Sequence, residues 1–132
     1  MREVTPDKEK ARSLLKMAKR TKERIKSTEI ERFPSQVLMD YYDTLHYLME
    51  GISSADGCKS EGKGAHKKLI QWTASEYDLR ESEKHFLDQV RRQRNKISYE
   101  GFTVESEYIK RNLEKFEGII EKLKEVLESK VN

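Results

Sequence analysis

Apolar residues recur along this chain at steps of three and four, and nowhere do more than three stand in a row. That rhythm places one face of each of several successive helices against a core. Ala11, Leu14, Leu15, Ala18 and Ile25 form the first stripe, and Thr5-Pro6-Asp7 precedes it. A hydroxyl able to cap free amides, a proline whose missing N–H is harmless, and an acid near the positive helix end predict a start at Thr5. The helix is predicted to run to about Thr28. Phe33-Pro34-Ser35 then punctuates the chain. Leu38, Tyr41, Tyr42, Leu45, Leu48, Met49 and Ile52 mark a second helix with a broad apolar face. Residues 53–64 hold three glycines and no periodicity, which predicts a mobile loop able to border a site.

A third helix is predicted over 65–75, with Leu69, Ile70 and Thr73 inward and Trp72 at its margin. The fourth, over 79–99, turns Phe86, Leu87, Val90 and Ile97 to the core before Gly101, a suitable left-handed terminator. A fifth begins after Thr103. In it Ile109, Leu113, Phe116, Ile120, Leu123 and Leu127 alternate steps of four and three, a straight seam suited to antiparallel packing or to a partner helix. No strand pattern or internal repeat competes. The expected architecture is all-α, a single domain over 1–132 built as a bundle of four to five helices.

Composition narrows this picture. With 132 residues, 35% hydrophobic and 39% charged, the chain can fill one core but not two. It lacks a membrane-spanning run, and Met1-Arg2-Glu3-Val4 lacks the apolar stretch of a secretory signal, so a cytoplasmic protein without a membrane is expected. Cys58 is the only cysteine and His46, His66 and His85 are scattered, so neither a disulfide, a metal site nor a cofactor is expected. Net charge is +3, but its distribution is uneven. Residues 8–32 carry ten basic side chains against four acidic ones, and Arg91-Arg92-Gln93-Arg94-Asn95-Lys96 carries four against none. Such runs suit RNA or nucleotide phosphates, and they are also what a solvated helix face looks like.

Arg94 stands out. It lies four residues after Val90 and three before Ile97, inside the apolar arc of the fourth helix. An unpaired guanidinium there costs several kcal/mol, so it should meet carbonyls, a phosphate, or a carboxylate such as Asp40 or Asp43. On another face Asp88, Arg92, Asn95 and Tyr99 recur at four, three and four residues, with His85 at the border. That ladder reads either as a functional edge or as an exposed face with an Asp88–Arg92 pair.

These residues resemble the HEPN domain family (higher eukaryotes and prokaryotes nucleotide-binding). Its motif is an arginine followed four to six residues later by histidine in a late helix, often with a polar residue directly after the arginine. Arg94-Asn95-Lys96-Ile97-Ser98-Tyr99 matches the arginine, the polar residue and the spacing, with Tyr99 where histidine is expected. Asp40-Tyr41-Tyr42 and Gly64-Ala65-His66-Lys67-Lys68-Leu69-Ile70 are similar to further stretches of the family, in the right order.

The resemblance implies a HEPN-like helical bundle, a homodimer whose two motifs face one cleft, and metal-independent endoribonuclease activity of the toxin–antitoxin type. Arg94 would hold phosphate oxygens bidentately, and Asn95 would orient it or the phosphate. Tyr99 would serve as acid or positioning group, because a phenol of pKa about 10 donates a proton more readily than it accepts one. His46, His66 or His85 would take the base role. Arg91, Arg92, Lys96 and His66 would contact the nucleic acid. The alternative is a noncatalytic module or scaffold that partners a small nucleotidyltransferase antitoxin. Each histidine also has a structural reading: packed beside the core for His46, capping a helix for His66, simply exposed for His85.

Overall fold

Residues 1–132 are described by a computed structural model. Six helices follow one another: α1 (Lys8–Lys26), α2 (Pro34–Asp56), α3 (Ala65–Glu76), α4 (Glu81–Glu100), α5 (Ser106–Arg111) and α6 (Leu113–Val131). Two short strands, β1 (Arg2–Glu3) and β2 (Cys58–Lys59), pair antiparallel with Arg2 opposite Lys59. The architecture is the all-α bundle that the periodicity predicts. No helix is long and apolar enough to cross a membrane.

The first helix starts later than Thr5. Asp7 is its cap, its carboxylate accepting from the Lys10 amide at 2.9 Å. Residues 2–7 instead form an extended strap over the end of α2. There the Val4 amide donates to the Gly57 carbonyl at 2.9 Å and the Asp7 amide to the Ser54 carbonyl at 2.8 Å. With its neighbours held extended, Thr5 cannot cap.

α2 is the central pillar, and α1, α3, α4 and α6 all pack on it. Leu38, Leu45, Leu48, Met49 and Ile52 are fully enclosed along it. It also runs past Ile52, so residues 53–56, expected in a loop, are helical. Ser53 and Ser54 are buried there. The Ser53 hydroxyl satisfies itself by donating to the Glu50 carbonyl at 3.1 Å, a bond that lets a small polar residue sit inside a helix. The helix ends at Gly57, whose φ of 77° lies in the left-handed region.

The last predicted helix is in fact two. It breaks at Asn112, whose side-chain amide donates to the Tyr108 carbonyl at 2.8 Å. In α6, Phe116, Ile119, Ile120, Leu123 and Leu127 are buried against this chain's own bundle. Phe116 stacks on Tyr41 with ring centroids 4.3 Å apart and meets Phe86 edge-on at 4.9 Å. The seam is therefore taken up internally, with α6 running parallel to α2: Phe116 meets Tyr41 near their starts and Leu127 lies beside Gly51 near their ends.

Candidate functional site

Tyr42, His46 and Glu50 follow at four-residue steps on α2 and so form a row along one side of it. Asp43 lies next to that row. α3 brings His66 to it. Gly62 and Gly64, at φ 79° and 75°, turn the chain so that the helix can begin at Ala65. Buried Leu69 and Ile70 then anchor α3 in the core. α4 supplies Arg94 from its inner face.

The contacts among these residues are specific. The Tyr42 hydroxyl and His66 Nδ1 are hydrogen-bonded at 2.9 Å. The His46 and His66 rings stand 4.2 Å apart, and His46 Nε2 lies 3.3 Å from a Glu50 carboxylate oxygen. The Arg94 guanidinium sits over the Tyr42 ring, 5.9 Å from its centre. Arg94 Nε and His46 Nδ1 are both buried without a hydrogen-bond partner. Arg94 does not pair with Asp40, one of its two expected partners. Asp40, 1% exposed, is held by the Arg24 guanidinium at 3.0 and 2.7 Å and by the Gln36 amide at 3.2 Å. Arg24 reaches it from α1 and satisfies it completely. Asp43 feels Arg94 electrostatically without bonding to it.

Burial and charge set the protonation of the corner. Burial pushes the Tyr42 phenol up to about 12, against the pull of Arg91 and Arg94, so the hydroxyl keeps its proton. Burial first, then the charges of His46 and Arg94, lower His66 below its ordinary 6.5. It is therefore largely neutral at pH 7, the form able to accept a proton. A hydroxyl both donates and accepts, so Tyr42 can hold Nδ1 whether or not Nε2 carries a proton. Burial raises Asp43, with Arg94 opposing. The hydrogen bond from His46 lowers Glu50, with burial opposing.

Beside the histidine pair lies a cavity of about 330 Å³, walled by the strap, the end of α2 and the start of α3. His46, Glu50 and His66 line it.

The other predicted residues take different places. Arg91 bonds Asp88 through Nε and Nη2, each at 2.9 Å, and Arg92 Nε meets the second Asp88 oxygen at 3.1 Å. Both arginines thus share one carboxylate. His85 pairs with Glu81 at 3.5 Å and remains exposed, away from Arg94. Asn95 is half-buried and Lys96 is exposed beside Phe102. Tyr99 is 80% exposed. Five residues separate it from Arg94, which turns the two roughly 140° apart around one helix. Within a single chain Arg94 and Tyr99 do not converge, whereas Arg94, His46 and His66 do. Glu50 and Tyr42 were not singled out as functional by sequence reasoning, although the four-residue spacing to His46 was there to be read. No three side chains among histidine, cysteine, aspartate and glutamate are arranged to hold a metal ion. No family model, curated protein or solved structure matches the chain.

Proposed function

We propose that this chain binds RNA at the corner between α2, α3 and α4 and cleaves it as a metal-independent endoribonuclease. One observation carries the reading: His66 on α3 meets Arg94 on α4 through the shared partner Tyr42. The motif on α4 lacks its histidine, and α3 supplies one. His66 Nε2 takes the proton from a ribose 2′-hydroxyl, whose oxygen attacks the adjacent phosphorus. The bond from phosphorus to the 5′-oxygen breaks, and the imidazolium returns the proton to that oxygen. The products are a 2′,3′-cyclic phosphate and a 5′-hydroxyl. Arg94, with no carboxylate bonded to it, carries the charge that develops on the phosphoryl oxygens. His46, held by Glu50, packs against the His66 ring and fixes its position. The resemblance to HEPN domains supports the same substrate class.

Purified protein should cleave single-stranded RNA in the presence of EDTA. His66→Asn should lower the rate by about 10² or more while RNA affinity holds, the size expected for loss of a general base. Tyr99→Phe should leave the rate within about twofold. A hundredfold fall in Tyr99→Phe, with His66→Asn active, would move the proton transfer to Tyr99.

A second reading rests on the placement of Tyr99. With Phe102, 42% exposed, it leaves two large aromatic side chains exposed around the end of α4. Such side chains suit a protein contact, either the homodimer or a small nucleotidyltransferase partner, on a module that binds without cleaving. RNA binding by an inactive wild type would favour it.

A further inference from the structure

We infer that the cavity beside His46 and His66 is a nucleoside subsite, which takes the base and sugar attached to the phosphate held at the histidine–arginine corner. The inference deepens the RNA reading and rests on it. Its first support is position. Both imidazoles line the cavity and stack against Tyr42, over whose ring Arg94 sits, so a phosphate engaged by His66 has its neighbouring sugar directed either to solvent or into this space. Its second is size. A volume of about 330 Å³ is at the small end of the roughly 300–1,000 Å³ found for small-molecule sites, enough for one nucleoside and too little for two.

The lining supplies the third. Thr5, Ser54 and Ser60 offer hydroxyls, Lys59 a cation, and Leu69 an apolar wall. Hydroxyls serve sugar oxygens and base edges, and an apolar wall with flat imidazoles serves a base face. A bare phosphate has no use for Leu69. The fourth is preorganisation. The strap is fixed by backbone bonds from Val4 and Asp7 to the end of α2, and by the Arg2–Glu61 ion pair at 2.9 Å. The wall exists before any ligand arrives, so little ordering is left for binding to overcome.

The test uses the whole protein and follows histidine ring carbons by ¹H–¹³C NMR in EDTA at pH 7. His85, paired with Glu81 on the outer surface, serves as the internal reference. Inorganic phosphate is titrated first, then uridine and adenosine 3′-monophosphates. Both nucleotides should shift His46 and His66, not His85, with Kd at least tenfold below that of phosphate. Ser60→Trp, which fills the cavity, should reduce that nucleotide-to-phosphate ratio to about one. In wild type, base protons should show nuclear Overhauser contacts to the Leu69 methyls, a readout that needs no variant. Equal affinities for phosphate and nucleotide, a ratio unmoved by Ser60→Trp, or no contact to Leu69 would each overturn the nucleoside subsite alone. No response of His46 and His66 to either ligand would instead overturn the phosphate-binding reading, and the subsite with it.

Discussion

Replacing Arg94 by methionine separates a binding arginine from a structural one, because the two roles predict opposite effects on stability. In the folded protein the Arg94 Nε is buried with no acceptor. A desolvated, unsatisfied donor costs about 1–3 kcal/mol. The guanidinium regains about 0.5–1 kcal/mol over the Tyr42 ring. Its attraction to half-buried Asp43, with no direct bond, adds about 0–1 kcal/mol. These contributions nearly cancel, with a slight excess of cost. Methionine keeps the length and apolar stem, so Arg94→Met should leave stability within about 1 kcal/mol of wild type or raise it. For a chain of this size that is a change in Tm of only about 3–5 °C. RNA or phosphate binding should meanwhile weaken at least tenfold, about 1.4 kcal/mol, through loss of the charged fork. Arg94→Lys keeps the charge without the fork and should fall between the two in affinity. Calorimetry and fluorescence anisotropy with labelled RNA read the two quantities. A Tm lowered by more than about 10 °C with RNA binding intact would refute the argument and make Arg94 a packing residue.

Two further outcomes follow from the geometry. Folding holds His66 below its ordinary 6.5, so the unfolded chain takes up this proton first as pH falls. Stability should be complete above pH 6.5 and decline below it, and His66→Gln should remove that part of the decline in Tm measured from pH 7.5 to 5. Gly57→Ala places a Cβ 2.7 Å from the Val4 carbonyl oxygen and 2.9 Å from Pro6 Cγ, at a φ of 77°. It should cost about 1–3 kcal/mol and raise hydrogen exchange at the Val4 and Asp7 amides; unchanged protection there would show that the strap does not depend on Gly57.

Much of the fold was legible because helical periodicity is local. The stripe of α1 and the inward residues of α4 could be read directly. What escaped depended on distant partners. Thr5 has a good capping side chain, but the strap bonds to α2 draw its neighbours into extended backbone. Ser53 and Ser54 look like loop residues until the Glu50 carbonyl and the covering strap satisfy them. The α6 seam reads equally well as inward or outward, and only the aromatic stack with Tyr41 and Phe86 decides it. Of the site, the place of Arg94 on an apolar stripe was visible. That His46 and His66 meet was not, because they lie on different helices joined through Gly62 and Gly64. Asp40 was a reasonable partner for Arg94, but Arg24 occupies it from a helix whose approach no spacing reveals.

Tyr42, His46 and Glu50 belong to the helix that is buried along most of its length, whereas His66 follows a loop whose residues 61–64 are all exposed. Changes that shift the first three must also disturb the packing of the pillar. Insertions between Glu61 and Ala65 lengthen an exposed loop, at a cost that grows slowly with its length. Mutational drift is thus unequal across the site: the α2 row is constrained by foldability, and the loop that delivers His66 and borders the cavity is comparatively free. Descendants of this chain that acquire different ligands should diverge first between residues 61 and 65, with the α2 row intact.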